Sequence, residues 1–581
     1  MENANPGATP EPGSAPSAPP AGGPPAAAYL SAGASLSPRR KKEILVAILL
    51  GLFLSALDQT IVGTALPRIV GDLKGSNELY TWVITIYLLT STITGVFYGK
   101  LSDLYGRRPM LMIGISLFLL GSALSGLSWS MESLILFRGI QGLGAGAIFP
   151  VSLAVIGDLF TPAERGKYQG LFGAVFGVAA VVGPFLGGWL TDTVGWHWIF
   201  YVNLPVGAVA LAIIWKYLPA IKRSGVRYDL DYLGAVVFTV AISFLLIGLT
   251  NKQSGEWGDL DVGGFVLIGL VVGLVFLLVE ARAKEPIVPL TLFRNRVYAV
   301  SIGAVFLSAF GFFAAVVFLP RWFQFVRGAS PTESGLQTIA LLAGVILSSI
   351  VSGGLISRSG RYKRLIVGSL AMVSVGLFLL SNISASIPVP ALWAMMFFTG
   401  LGLGPTLSAF TIVVQSAVPI HQLGVATGNL TFFRQVGGSV GLAVIGTIFG
   451  QALADGVVPA LERQGIPAEL AGKLAAFAGG GGGGEVGGVG SDLPTLLAAA
   501  LPPELQTYID GIVAGVYDAF SLAVGACFFA GFVCAVGALL VSLLLPEVQL
   551  RGIGAHHRGG APGGPQPDGE QGAGGMALAG H

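Results

Sequence analysis

The sequence predicts an all-α membrane protein of fourteen transmembrane helices, built as two six-helix pseudo-repeat halves with two extra helices inserted between them. Three observations carry this expectation. Hydrophobic residues make up 53% of the chain and charged residues only 11%, with a mean hydropathy of +0.77, too apolar for a water-soluble chain of 581 residues. Apolar runs of roughly 20 residues, each long enough to cross a bilayer, recur along nearly the whole length. A charged turn, GKLSDLYGRRP at residues 99–109, returns in worn form as GGLISRSGRYK at 353–363, and internal repeats are a hallmark of secondary transporters.

The elements follow in chain order. Residues 1–37 are mostly Pro, Ala, Gly and Ser and cannot bury a core, so a disordered tail is expected. They also lack the basic start and apolar centre of a cleavable signal. Residues 38–218 are the expected N-terminal six-helix bundle, with spans near 44–66, 80–99, 110–128, 132–156, 168–190 and 197–218. Pro38-Arg39-Arg40-Lys41-Lys42 abuts the first span and reads as a cytoplasmic anchor. Residues 219–296 carry the two inserted helices, 230–250 and 262–281, with cytoplasmic linkers. Residues 297–547 form the C-terminal bundle, with spans near 299–320, 335–356, 365–382, 389–414, 426–451 and 516–545. Its segment 452–512 holds six consecutive glycines at 479–484 and is expected to be periplasmic and partly flexible, with short amphipathic stretches near 459–477 and 494–510. Residues 548–581 are expected to be a second disordered tail.

The basic residues fix a direction for this array. With the N-terminus inside, 23 of the 32 Lys and Arg fall on the cytoplasmic side and seven outside, while Arg138 and Arg434 lie within spans. Thirteen or fifteen spans would erase that bias. Both charged turns become cytoplasmic, and both termini are expected there, with the chain a monomer in a bacterial inner membrane. A net charge of +2 spread over short loops offers no basic face for nucleic acid. Cys527 and Cys534 are separated by about 10 Å of helical rise, beyond disulfide reach.

Charge inside a bilayer is costly and defaults to function. Asp58 and Arg138 fall at depths of roughly 12 and 9 Å from the same side, and Arg434 roughly 12 Å from the other. They are expected to share a central zone and to pair across an aqueous cavity. Such a carboxylate carries a proton if burial favours its neutral form when the cation withdraws. A permanent salt bridge that only fixes packing is the plainer alternative. Asp158 and Glu280 sit at cytoplasmic helix ends, where a solvated carboxylate is cheap, and no role is expected for either. Gln59, Trp82, Tyr87, Phe149, Phe176, Asn429 and Phe433 are candidate cavity residues, and their aromatic content suits a lipophilic substrate better than a sugar.

Several motifs give the chain a resemblance over about residues 44–547. Gly99-x-Leu101-x-Asp103-x-x-Gly106-Arg107-Arg108 resembles the loop 2–3 motif of the major facilitator superfamily. LDQTIVGTALP (57–67) and RGIQGLGAG (138–146) are similar to the helix 1 and helix 4 motifs of its 14-helix drug:proton antiporters, and GVAAVVGPFLGGWL (177–190) to their helix 5 antiporter motif. The resemblance implies a cytoplasmic gate of Gly99, Asp103, Gly106, Arg107 and Arg108, with Arg361 in the second-half turn. It also implies an antiporter motif of Gly177, Gly183, Pro184, Gly187 and Gly188, although close helix packing explains those glycines about as well. Gly63 stands where the family usually has Asn, and His197 where it has Arg. Ser357 stands in the second turn where the first has Asp103, so any charge lock is asymmetric.

No Walker loop, no metal cluster among five His and no nucleophile with a base is legible, so the expectation is a non-enzyme without cofactors, driven by the proton gradient. The leading reading is export of lipophilic or cationic compounds by alternating access. An exporter of a native lipid or glycolipid, and a non-transporting membrane scaffold or sensor, are the alternatives.

Overall fold

The computed structural model describes residues 36–74, 77–160, 162–219, 231–252, 255–477, 506 and 508–547. The expected disordered tails, the glycine run and most of the stretch 494–510 lie outside them. Fourteen helices among the described residues are long and apolar enough to cross a membrane. They are α1 (Pro38–Asp72), α2 (Asn77–Tyr105), α3 (Arg107–Gly126), α4 (Met131–Leu159), α5 (Pro162–Thr193), α6 (Trp198–Tyr217, interrupted at Val202), α7 (Tyr232–Asn251), α8 (Leu260–Glu280), α9 (Arg296–Arg327), α10 (Ile339–Ser359), α11 (Lys363–Leu380), α12 (Val389–Ala417), α13 (Leu423–Arg463) and α14 (Ile509–Leu543). No strand occurs among the described residues.

Local chemistry starts and stops these helices. Ser37 caps α1, with Pro38 at the first helical position where its missing N–H costs nothing. Ser130 and Ser133 form a capping box on α4. Asn295 caps α9, which ends at Gly328 in the left-handed conformation. The ends differ from expectation where packing outweighs pattern. The ninth span was expected to end near residue 320, but α9 continues through Pro320 to Arg327. α13 runs to Arg463, well past 451, because Val457, Ala460 and Leu461 on its extension pack against Ile512 and Ala519 of α14. A short helix, Ala468–Phe477, occupies much of the first amphipathic stretch.

Packing places the first six helices mainly against one another, as α1 on α5 and α6 and α4 on α2 and α3. The last six do the same, as α10 on α12 and α14 on α9, α11 and α13. Two seams join these groups, α5 against α10 and α2 against α13. α7 and α8 form a hairpin outside both, with α7 touching α2 and α13, and α8 turning Leu267, Leu270, Leu274 and Leu278 outward, as a lipid-facing helix should. Because helices alternate in direction, the starts of α1 and α13 and the ends of α2, α4 and α12 gather at one end, called here the basic end.

Candidate functional site

At the basic end the turn after α2 fastens one group to the other. Asp103 is buried, and its carboxylate accepts the backbone N–H groups of Gly424 at 3.0 Å and Val425 at 2.8 Å. These are donors that the start of α13 leaves unpaired, and they form the positive end of its dipole. Arg107 bridges Asp103 at 2.6 Å and Asp158 at 2.8 Å, and Ser102 accepts from it at 2.7 Å. Gly99 and Gly424 allow the contact, because a Cβ on Gly424 would lie 2.3 Å from the Gly99 carbonyl oxygen. Gly106 has φ 98°, which favours glycine and lets the chain reverse into α3. Gln415 of α12 adds a second crossing, donating to the Leu153 carbonyl at 3.1 Å.

The basic end differs from the sequence expectation at four residues, Asp158, Glu280, Arg361 and Arg108. Asp158 is not a solvated helix-end carboxylate but a buried partner of Arg107. Beside it Arg165 donates to the carbonyls of Phe160 and Gly157. Burial pulls the Arg165 guanidinium below its usual range, and Asp158 acts against that shift. Glu280 is likewise buried, accepting the Val288 N–H at 2.5 Å. Arg361 is exposed and only its backbone engages Ser359, so the second turn makes no matching ion pair among the described residues. Arg108 is half-buried and outside the network of Arg107, whereas Lys100 binds Glu285 at 2.7 Å and ties α2 to the segment after α8.

Midway along the first group, Asp58 is completely buried and Arg138 Nη1 reaches its Oδ2 at 2.5 Å. Gln141 and Asn203 donate to Asp58 Oδ1 at 2.8 and 3.3 Å, and Arg138 also donates to Gln141 at 2.8 Å. Asn203 in turn reaches Ser122 at 3.0 Å. The pair was expected to span an aqueous cavity, and instead it lies inside the helix core between α1 and α4. Neither residue lines the cavity. The link to the cavity is Tyr87, which lines it and carries the Arg138 guanidinium 4.2 Å from its ring centroid.

The cavity, of about 300 Å³, lies where both groups meet. Gln59, Tyr87, Phe149 and Phe176 line it, with Phe172, Phe312, Phe313 and Phe432. Trp82 is half-buried away from it. Asn429 is buried and donates to the Tyr298 hydroxyl at 3.2 Å, and Phe433 packs on Phe293, so these two face α9 and its approach rather than the cavity. Arg434 does line it, but on the group opposite Asp58, and makes no ion pair among the described residues.

The helix 5 glycines serve two different seams. A Cβ on Gly177 would meet Ile346 of α10 at 2.2 Å, whereas one on Gly183 would meet Thr60 Oγ1 at 2.0 Å and one on Gly187 the Ile61 carbonyl at 2.8 Å, both on α1. Pro184 lies within a continuous α5 and approaches Gly335, and Gly188 is half-buried. Gln141, Asn203, Asp158 and Gln415 were missed by sequence reasoning. Their signal was a polar residue in or at the end of an apolar run, without its partner.

The comparisons with known proteins agree with this architecture. The MdtP multidrug transporter of Bacillus subtilis (strain 168) is 37% identical over 435 residues, covering 74% of this chain and 80% of that protein. The tetracenomycin C resistance and export protein of Streptomyces glaucescens is 34% identical over 413 residues, covering 71% and 76%. The crystal structure of the human organic anion transporter MFSD10 aligns with a TM-score of 0.53 over 86% of this chain and 100% of that one, at 16% identity, a likeness of fold alone. The family model described as Major Facilitator Superfamily matches residues 48–442, so the fourteen helices are those of a multi-pass membrane transporter, and the chain belongs to the major facilitator superfamily.

Proposed function

We propose that this protein is a proton-coupled efflux antiporter that exports lipophilic small molecules by alternating access. The basic end faces the cytoplasm of a bacterial cell, and the conformation described is the one closed on that side. The observation that carries the reading is the combination of a closed latch at Asp103 with an aromatic cavity whose wall residue Tyr87 touches the buried Asp58–Arg138 pair. Protonating Asp58 would free Arg138 from its counter-charge, and Tyr87 would pass that change to the cavity wall. Releasing Asp103 from α13 would open the cytoplasmic side for loading. The multidrug-transporter and tetracenomycin C-export names of the relatives support small-molecule cargo.

The test is transport in reconstituted vesicles under an imposed pH gradient, with a lipophilic dye and a fluorescent lipid as parallel cargoes. Dye movement that follows the gradient and collapses with a protonophore supports the reading. Movement of the lipid alone would favour a lipid exporter, and movement of neither, in vesicles of monodisperse protein, would favour a scaffold.

A further inference from the structure

The cavity wall carries one formal charge among its described residues, and that charge is a cation. Arg434 lines the cavity, its Nη2 is buried, and that nitrogen has no hydrogen-bond partner among the described residues. No carboxylate lines the same space. Asp58, the fully buried acid of the first group, is committed to Arg138, Gln141 and Asn203 inside the helix core. A buried guanidinium nitrogen without an acceptor is costly, and an anionic or strongly accepting cargo group would relieve that cost. A cationic cargo would add like-charge repulsion in a poorly screened space. The remaining wall, including Phe149, Phe176, Phe312, Phe313 and Phe432, offers apolar contact to the body of such a molecule.

We propose that the cavity selects lipophilic anions, with a carboxylate, sulfonate or similar acidic group held at Arg434 Nη2 and the apolar body against the phenylalanines. This rests on the efflux reading for its place in transport but not for the binding itself. It also narrows the cargo expected from the sequence, which included lipophilic cations.

The test is equilibrium binding to the purified full-length protein of two probes that share a ring system and differ in charge, 1-naphthylacetate and 1-naphthylmethylammonium, read by calorimetry. The wild type should bind the acid about tenfold or more tightly than the amine, the scale of one charge-assisted hydrogen bond. Arg434→Gln should lose that preference, while Arg434→Lys, which keeps the charge, should retain most of it. Equal affinity for both probes, or tighter binding of the amine, in the wild type overturns the proposal without reference to any variant. So does an unchanged preference in a monodisperse Arg434→Gln protein. Because binding is measured without a gradient, failure of pH-driven transport would count against the efflux reading and leave this assignment standing.

Discussion

Asp103 and Val425 are 322 positions apart in the chain, and the Asp103 carboxylate accepts the Val425 backbone N–H at 2.8 Å. Its other oxygen holds Gly424, so one side chain caps a helix that belongs to the opposite group. Asp103→Asn keeps one acceptor but removes the charge and turns an amide N–H toward backbone donors. The expected loss is about 1.5–3 kcal/mol of the latched state, seen as a wider spin-label distance between the ends of α2 and α13 and as slower efflux. Identical distances and rates would leave Asp103 with no part in closing this end.

The same seam can be tested without touching a charge. In Gly424→Ala the new Cβ would lie 2.3 Å from the Gly99 carbonyl oxygen and 2.7 Å from Asp103 Oδ1. Gly99→Ala would in turn approach the Gly424 carbonyl at 2.6 Å. The first obstacle is backbone on both sides, so no rotamer change relieves it. Each variant should stay folded and monodisperse, since the contact lies between helix groups rather than within one, while cysteine cross-linking across the α2–α13 end falls. Cross-linking at the wild-type level in both variants would mean that the seam can widen without opening.

Orientation in the membrane has a direct check. Trp129, between α3 and α4, is 74% exposed at the end opposite the latch, and Arg361 is exposed at the basic end. In a protein whose Cys527 and Cys534 are replaced by alanine, Trp129→Cys in intact cells should react with an impermeant maleimide added outside. Arg361→Cys should react only after permeabilisation. The reverse pattern would put the basic end outside the cell.

The helix count was legible because span length and loop charge are one-dimensional properties, which a sequence carries openly. Depth was legible for the same reason, so Asp58 and Arg138 could be placed at one level. Rotation about each helix axis was not, because it depends on the neighbours. Asn429 and Arg434 share α13, yet one faces Tyr298 and the other the cavity. Asp158 looked solvent-exposed because its partner, Arg107, is 51 positions away and arrives only when α3 packs on α4. α13 outran its apolar stretch because Asp455, Glu462 and Arg463 break the hydropathy while Val457 and Leu461 still find α14.

The pair at the centre of the first group gives the prediction on which coupling turns. Asp58 has Arg138, Gln141 and Asn203 as donors, so Asp58→Asn replaces a fully used carboxylate with a neutral amide and leaves the Arg138 guanidinium buried without a counter-charge. Removing one member of a buried pair costs about 3–5 kcal/mol, so the single variant should melt earlier as well as lose pH-driven efflux. Loss of activity in it would therefore not separate coupling from packing. Asp58→Asn with Arg138→Gln removes both charges, keeps hydrogen-bonding groups in the same space, and should recover most of the lost thermal stability. That double variant should still bind a lipophilic cargo, because neither residue lines the cavity, but should not move it in response to a pH gradient. If the double variant regains both stability and gradient-driven efflux, the Asp58–Arg138 pair is a structural brace. The proton must then be carried elsewhere, with the exposed Asp192 and His197 before α6 the next residues to neutralise.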